Sequence, residues 1–205
     1  MDFFEYGEKE ITYLKNKCPK MAKVIDRTGN LQRELEPKLF KALVSSIVSQ
    51  QISIKAAATV FSRLEELVKE ITYDNILSKT DDEIKACGLS YRKVGYLKGL
   101  CEAVSNGDLA LEKLPCMTDE EIISELVKLN GIGVWSAEMF LIHSLRRADI
   151  LSYGDLVIRK GIMKLHGLEK ISAKEFQEYK KLYSPYGSIA AFYLWHLAHE
   201  EQEKC

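Results

Sequence analysis

The sequence predicts an all-α fold, and three observations support this prediction. Apolar residues recur at the i, i+3, i+4 spacing of an amphipathic helix along nearly the whole chain, most clearly in 121–129. No two alternating apolar and polar runs are joined by a hairpin turn, so paired strands are not expected. Three segments match the capping box, in which a Ser or Thr caps a helix and a Glu three residues later bonds back to it. They are Thr80–Glu83, Thr118–Glu121 and Ser172–Glu175.

The helices follow from these start signals and from glycine positions. A helix is expected after each capping box, and six more are predicted by periodicity at about 37–49, 53–69, 91–105, 134–146, 156–166 and 187–203. Glycines fall between these segments, where helix C-caps favour them.

Composition places the chain among ordinary globular proteins. Its 205 residues suit one domain better than two, and 46% hydrophobic with 29% charged residues excludes disordered, collagen-like and low-complexity classes. The longest uncharged apolar run, 187–198, is shorter than the roughly 20 residues of a membrane span, so no membrane partner is expected. The acidic N-terminus does not resemble a signal peptide. We therefore expect a cytoplasmic protein, nucleoid-associated in a prokaryote.

Charge and cysteine usage exclude further classes. A net charge of −1 argues against a purely electrostatic nucleic-acid binder, although it permits a local basic face. Five cysteines without a C-x-x-C pair argue against a zinc site, an iron–sulfur cluster and a disulfide framework. His196 and His199 have a spacing that could serve one metal, but no third ligand is near in sequence. Solvated or core histidines are the preferred interpretation.

Residues 121–146 carry the most information about function. An amphipathic helix is followed by the turn Asn130-Gly131-Ile132-Gly133 and by a second helix that includes Ser136. Glycines allow a tight reversal, and unpaired amides at the start of the second helix would form a phosphate-binding site. The alternative is an ordinary αα-hairpin whose glycines serve only the turn.

Four segments in order resemble one enzyme family. They are IVSQQISIKAA at 47–57, GLSYRKVGYLKGL at 88–100, LNGIGVWSAEMF at 129–140 and DILSYGDLVIRKG at 149–161. Together they resemble the helix–hairpin–helix DNA glycosylases, in the 3-methyladenine DNA glycosylase II branch that repairs alkylated bases. The chain looks like a compact member without the β-rich N-terminal domain that some members carry.

The resemblance implies an architecture and partners. Residues 1–205 would form a single glycosylase domain with two helical lobes and a central DNA-binding cleft. One lobe would comprise 40–133, and the other 1–39 with 134–205. The expected partner is double-stranded DNA with a damaged base, bound by a monomer that requires no cofactor and has no iron–sulfur cluster. A Na⁺ or K⁺ ion could be held by backbone carbonyls of Val127, Leu129 and Ile132.

Asp155 is the predicted catalytic residue. It lies at a helix N-cap, where amides and the helix dipole favour the ionised carboxylate. Breaking an N-glycosidic bond builds positive charge on the sugar, which a fixed anion stabilises while it orients a water. The alternative is that Asp155 only caps the helix.

Aromatic residues are candidates for a base pocket. Bifunctional relatives carry a lysine where this chain has Trp135, and an indole cannot form their Schiff base, so a monofunctional enzyme without lyase activity is expected. An indole face also attracts cationic alkylated purines. Met139 lies one helical turn later, Tyr186 matches a base-stacking position of relatives, and Tyr153 is beside the catalytic loop. Core packing is the alternative for each ring.

Two further groups of polar residues could contact DNA. Gln50 and Gln51 match the segment that fills the gap left by an extruded base, with Gln51 as the wedge; a polar interhelix loop is the alternative. Ser53 is expected to cap the next helix. Basic residues that could face phosphates, or simply solvent, are Arg92, Lys93, Lys98, Arg146, Arg147, Arg159 and Lys160.

The expected function is flipping and hydrolytic excision of alkylated purines of the 3-methyladenine and 7-methylguanine type, leaving an abasic site in base excision repair. Three alternatives remain open at this point. They are a glycosylase for oxidised or deaminated bases, a non-catalytic helix–hairpin–helix module that binds DNA structure, and a helical protein-interaction domain.

Overall fold

The structure is a computed structural model that describes residues 2–200, and it confirms the all-α prediction. Within this range the chain forms twelve α-helices, one 3₁₀ helix at Leu111–Cys116 and one pair of two-residue strands, β1 at Asp2–Phe3 and β2 at Glu34–Leu35. The helices are α1 Glu8–Lys17, α2 Pro19–Thr28, α3 Leu39–Ser49, α4 Ile54–Val68, α5 Tyr73–Leu77, α6 Asp81–Ala86, α7 Tyr91–Ser105, α8 Asp119–Leu126, α9 Val134–His143, α10 Leu156–His166, α11 Ala173–Tyr183 and α12 Gly187–His199.

The three capping boxes predicted from sequence are all present. In each one, the Ser or Thr hydroxyl accepts a bond from the backbone N–H of the Glu, and the Glu carboxylate accepts one from the backbone of the cap residue. The carboxylate also accepts from the cap hydroxyl, and the bonds from the cap backbone and hydroxyl lower the pKa of Glu83 and Glu121, while the hydroxyl bond comes first for Glu175. The boxes start α6, α8 and α11.

Two of the predicted helix ends differ from the structure. The helix predicted at 134–146 ends at His143, and Arg146 then adopts a left-handed φ of 57°, which a continuing helix does not allow. The helix predicted at 187–203 ends at His199, and the rest of that prediction lies largely outside the described residues. Helices α1, α2 and α5 were not among the predicted segments.

The described chain divides into two compact units. The first comprises residues 36–140 and contains α3 to α8 and most of α9. Its central element is α7, which packs against α3, α5 and α6 and buries Val94, Leu97 and Cys101. Leu126 of α8 is also fully buried, so the helix that leads into the predicted hairpin is anchored in this core.

The second unit comprises residues 2–35 and 141–200. Its most extensive helix contact joins α10 to α12, and α1 packs on α2 while α2 also contacts α12. The largest fully buried rings in the unit are Phe176, Tyr183, Phe192 and Tyr193. Because α10 begins directly after Asp155, this α10–α12 contact decides what surrounds the predicted catalytic carboxylate.

The contact between α10 and α12 is close because Gly161 has no side chain. A Cβ atom at this position would lie 2.4 Å from the backbone carbonyl oxygen of Leu194, far inside any normal contact. Gly161 is fully surrounded in the middle of α10. The glycine therefore sets the separation of the two helices, and a backbone oxygen cannot turn away as a flexible side chain could.

Two further predictions from the sequence concern membrane-spanning helices and the state of the cysteines. No helix among residues 2–200 is long and apolar enough to cross a membrane. Cys18, Cys87 and Cys101 are buried free thiols and Cys116 is an exposed one, while Cys205 lies outside the described residues. Burial raises the pKa of the Cys101 thiol to about 12, so this cysteine behaves as an apolar core residue.

Candidate functional site

Asp155 is a buried carboxylate with both oxygens held. The residue is only 6% exposed and is the N-cap of α10, as predicted. Its Oδ1 accepts hydrogen bonds from the backbone N–H groups of Val157, at 2.8 Å, and Ile158, at 2.9 Å. Its Oδ2 accepts one from Nε1 of Trp195 at 3.3 Å. These donors come from two helices and hold both oxygens of the carboxylate.

Trp195 is a site residue that the sequence interpretation missed. Its indole lies in α12, nearly parallel to the His143 ring with centroids 5.8 Å apart, and at 29° to the Phe192 ring with centroids 6.0 Å apart. A half-buried indole N–H in an apolar helix requires an acceptor, which was the available signal. The sequence could not name that acceptor, because Asp155 lies forty residues away.

His143 completes this stack as an uncharged ring. Burial, and the nearby positive charge of Arg33, lower the pKa of His143 below its usual value, and a hydrogen bond to the backbone of Glu34 opposes them more weakly. The imidazole is therefore neutral at physiological pH. The indole partner of Asp155 therefore packs on a neutral ring.

Exposed apolar side chains flank the buried carboxylate. Leu156, the residue directly after Asp155, is 53% exposed, and Tyr153 is 36% exposed. The Tyr153 ring meets Phe176 edge-on at 5.3 Å, and the guanidinium of Arg159 lies 5.0 Å from its centroid. An apolar rim around a buried anion is the arrangement expected where a ligand covers the surface. Leu156 was not among the predicted site residues.

Tyr186 is placed by a separate set of contacts in the same unit. It is the N-cap residue of α12, is half-buried and meets Tyr13 edge-on at 5.2 Å. The Asp149 carboxylate orders the chain on both sides of it, accepting from the Ser184 hydroxyl at 2.6 Å and from the Gly187 amide at 3.0 Å. The predicted stacking of Tyr186 on a base stays a prediction.

The predicted hairpin is formed by α8, the turn 127–133 and α9. Gly131 has a φ of +90°, and a Cβ there would lie 2.3 Å from the Tyr96 ring, so both the turn and the ring require glycine. Ile132 is 5% exposed and anchors the turn, whereas Asn130 and Gly133 are exposed. A Cβ on Gly133 would meet no atom within 4 Å. The protein therefore leaves the Gly133 side of the turn open.

The start of α9 lies on this open side. First-turn amides of a helix have no partner within the helix, and they point outward along its axis. Ser136 is buried in this first turn, while Trp135 is 47% exposed and Met139, one turn later, is half-buried. Trp135 is thus not a core tryptophan, and the core-packing alternative is wrong for this ring.

The two predicted wedge residues have different environments. Nε2 of Gln50 donates to the carbonyl of Gly131 at 2.6 Å, which joins its loop directly to the hairpin. Gln51 is exposed and adopts a left-handed φ of 57°. Ser53 caps α4 as predicted, accepting from the amide of Ala56. Gln50 therefore has a structural bond, and Gln51 is the residue that the loop presents outward.

The carbonyls predicted to hold a cation belong to the hairpin turn. The carbonyl of Leu129 accepts a hydrogen bond from the amide of Ile132 at 3.1 Å, and a carbonyl oxygen has a second lone pair available. Val127 is the C-cap of α8 and is 38% exposed. Backbone oxygens in such a turn fit a monovalent cation chemically, and this site stays a prediction.

Two of the basic candidates have backbone partners within the protein. Nζ of Lys93 donates to the carbonyls of Val48 and Gln50, and Nζ of Lys98 donates to the carbonyls of Ile76, Leu77 and Lys79. Both ammonium groups therefore donate to backbone carbonyls at or just after the C-terminal ends of α3 and α5. A charge run read from sequence cannot show that a long side chain bends inward to orphan carbonyls.

Three other candidates, Arg146, His196 and His199, also have partners within their own unit. Arg146 pairs with Asp2 at 3.2 Å. His196 lies 3.5 Å from Glu200, and Nδ1 of His199 bonds the carbonyl of Trp195. Across residues 2–200 no cluster of three or more His, Cys, Asp or Glu side chains could hold a metal. The site residues thus form two groups: Gln50 joined to the hairpin in one unit, and Asp155 joined to Trp195 in the other.

Comparison with known proteins identifies the family. A family model described as "HhH-GPD superfamily base excision DNA repair protein" matches residues 44–185 of this chain. The chain belongs to the HhH-GPD superfamily. The match includes the Gln50 loop, the hairpin and Asp155, whereas Trp195 lies beyond its end.

Individual relatives of this HhH-GPD protein agree with the assignment. DNA-3-methyladenine glycosylase 1 of Schizosaccharomyces pombe is 34% identical over 181 residues, which cover 84% of this chain and 79% of that protein. The crystal structure of a DNA-3-methyladenine glycosidase from Bacillus halodurans has 33% identity and a TM-score of 0.88, covering 100% of this chain and 95% of that one. S. pombe Mag1 in complex with abasic DNA has 32% identity and a TM-score of 0.81, covering 92% and 95%.

The comparisons confirm the predicted family and fold class. They also favour base excision DNA repair over the alternative of a helical protein-interaction domain.

Proposed function

We propose that this HhH-GPD protein is a monofunctional DNA glycosylase that excises alkylated purines, of the 3-methyladenine and 7-methylguanine type, from duplex DNA. The reaction is hydrolysis of the N-glycosidic bond and leaves a free base and an abasic site. The observation that carries the proposal is Asp155, a buried and doubly anchored carboxylate beside exposed apolar side chains. Two relatives named as 3-methyladenine glycosylases, from fission yeast and Bacillus halodurans, support the substrate class.

Asp155 supplies the electrostatic part of the mechanism. As the base leaves, positive charge develops on the sugar, and a fixed anion in a site of low dielectric stabilises that charge more than water would. The same carboxylate orients a water molecule for attack at the anomeric carbon. The backbone donors from Val157 and Ile158 hold Oδ1 of this carboxylate at a fixed position.

The residues of the hairpin unit act on the DNA in three ways in this proposal. The open side of Gly133 and the first-turn amides of α9 receive a backbone phosphate, which a helix N-terminus favours. Gln51 enters the space left by the extruded base and bonds the orphaned partner. The exposed face of Trp135 stacks on the damaged base, where a cationic purine gains about 0.5–2 kcal/mol.

The absence of lyase activity follows from the chemistry of Trp135. A lyase step needs an amine that forms a Schiff base with the sugar, and an indole cannot supply one. The abasic product is therefore released with its strand intact. The proposed enzyme acts as a monomer on double-stranded DNA and uses no cofactor in the bond-breaking step.

The test is a single-turnover assay on a duplex carrying one 7-methylguanine, with released base and strand breaks scored before and after alkali. Wild type should release the base and show nicks only after alkali. Asp155→Asn should slow release about 100-fold or more, since it keeps an equally good N-cap but removes the charge. Asp26→Asn, an exposed carboxylate paired with Lys15, is the matched control and should act as wild type.

Three outcomes would overturn parts of this proposal. Equal release by wild type and Asp155→Asn would remove the catalytic role of Asp155. Nicks before alkali would remove the monofunctional assignment. A panel with 8-oxoguanine and hypoxanthine duplexes tests the substrate class, because faster release of either than of 7-methylguanine would replace alkylated purines.

A further inference from the structure

The hydrogen bond between Trp195 and Asp155 gives α12 a part in the reaction. We propose that Trp195 is a positioning residue, whose indole N–H fixes the plane of the Asp155 carboxylate relative to the sugar. The inference rests on the proposed catalytic role of Asp155, and it adds a residue that lies outside the region matched by the family model.

The two oxygens of Asp155 are held from different directions. The amides of Val157 and Ile158 both bind Oδ1, which is the usual arrangement of an N-cap. The carboxylate turns about its Cβ–Cγ bond, and this rotation moves both oxygens, so a donor on either oxygen resists it. The donor on Oδ2 comes from another helix and adds its resistance to that of the two amides. Donors from α10 and α12 therefore act together on the orientation of the group.

Trp195 can act as a reference point because it is itself immobilised. Its ring packs against both the imidazole of His143 and the ring of Phe192. Phe192 is in turn held by Arg33, which donates to its carbonyl at 3.3 Å and lies over its ring at 5.8 Å. Beside the indole, the backbone of Leu194 rests on Gly161 of α10. The donor is thus fixed to the same helix that carries Asp155 at its N-terminus.

If Trp195 served only to pack between helices, its substitution would have a different effect. Packing between two rings needs an aromatic side chain but not the Nε1–H group, so Trp195→Phe separates the two roles. The neighbouring Tyr193→Phe is the matched control: it also removes a polar hydrogen from a ring of α12, where the hydroxyl donates to the carbonyl of Gly29 at 3.0 Å. That bond has no connection to Asp155.

The first measurement compares the single-turnover excision rate with affinity for abasic DNA. Trp195→Phe should lower the excision rate about 10- to 100-fold, because misplacing a catalytic group by 1 Å costs about that much. Its affinity for a duplex with an abasic site should stay within about twofold of wild type. Tyr193→Phe should keep the wild-type rate even where its melting temperature falls as far as that of Trp195→Phe.

A second measurement detects the hydrogen bond without any reaction. The chain has two tryptophans, so the indole region of a ¹H–¹⁵N spectrum contains two signals, and the one missing in Trp195→Phe is Trp195. A charge-assisted bond moves this proton downfield. Asp155→Asn should shift the Trp195 signal upfield, and Asp26→Asn should leave it in place.

The outcomes separate this inference from the proposed function. If Asp155→Asn abolishes excision while Trp195→Phe excises at the wild-type rate, the enzyme proposal stands and the positioning role is wrong. A Trp195 signal that ignores Asp155→Asn also overturns the positioning role. Equal slowing by Tyr193→Phe and Trp195→Phe would reduce Trp195 to a packing residue. If Asp155→Asn excises normally, the proposed function itself fails.

Discussion

The two glycines of the hairpin turn should respond in opposite ways to the same substitution. Gly131 has a φ of +90° and lies against the Tyr96 ring, whereas Gly133 has ordinary backbone geometry and open space beside it. Alanine at 131 should therefore damage the fold, and alanine at 133 should damage only the binding of DNA. Both substitutions add one methyl group within three residues of the same turn.

The size of the effect at Gly131 follows from two contributions. A left-handed conformation costs a residue with a Cβ about 1–2 kcal/mol relative to glycine. The new Cβ would lie 2.3 Å from the Tyr96 ring, so the ring must retreat by more than 1 Å, and such overpacking costs about 1–3 kcal/mol. Gly131→Ala should therefore lower the free energy of unfolding by about 2–5 kcal/mol. The displacement also pulls on the bond between Gln50 and the Gly131 carbonyl.

Urea denaturation and DNA binding together test this expectation. Gly131→Ala should show the lower free energy of unfolding, and in a Tyr96→Ala background the same substitution should cost only the backbone part. Gly133→Ala should unfold like wild type yet bind abasic duplex more weakly, since its methyl group occupies the proposed phosphate position. Equal urea midpoints for wild type and Gly131→Ala would refute the reasoning, as would a destabilised Gly133→Ala.

Two further predictions concern the unit that carries Asp155. Gly161→Ala should lower the free energy of unfolding by about 1–3 kcal/mol, because the new Cβ would meet the Leu194 carbonyl. The control is Gly95→Ala in α7 of the other unit, whose Cβ would meet no atom within 4 Å, so this change should raise the free energy of unfolding by about 0.5–1 kcal/mol. Thermal unfolding of the two variants and wild type measures both effects. Stability should fall as pH drops below about 6.5, the usual pKa of histidine, because burial lowers the pKa of His143 in the folded protein and the unfolded chain then binds more protons. Urea midpoints from pH 7.5 to 5 should decline less in His143→Gln, while His166, whose pKa burial also lowers, keeps its share. An identical decline in wild type and His143→Gln would contradict this assignment.

Short sequence patterns predicted most of the helices, the hairpin turn and the position of Asp155. Capping boxes, an N-cap aspartate and a Gly-x-Gly turn are patterns within a few residues, and the structure confirms Thr80, Thr118, Ser172 and Asp155 as caps. These interactions form between neighbours in sequence, so the sequence reports them directly.

The missed features depend on contacts between distant segments. Trp195 meets Asp155 only because Gly161 lets α12 approach α10, and no local pattern reports the register of two helices. Lys93 looked like a surface charge, yet it reaches the carbonyls of Val48 and Gln50 across more than forty residues. Likewise, Gln50 and Gln51 are chemically identical, and only the fold shows that Gly131 engages the first of them.

The backbone at Gln51 implies a trade of stability for function. Its φ of 57° lies in the left-handed region, which costs glycine or asparagine less conformational free energy than glutamine. Either residue should therefore stabilise this loop, which Lys93 and the Gln50 amide also hold. Because hydrogen bonds already hold the backbone of this loop, it should lose little conformational entropy on binding DNA, and only the Gln51 side chain has to be ordered. A substitution at position 51 should therefore change the side chain of the proposed wedge while the rest of the unit keeps its structure.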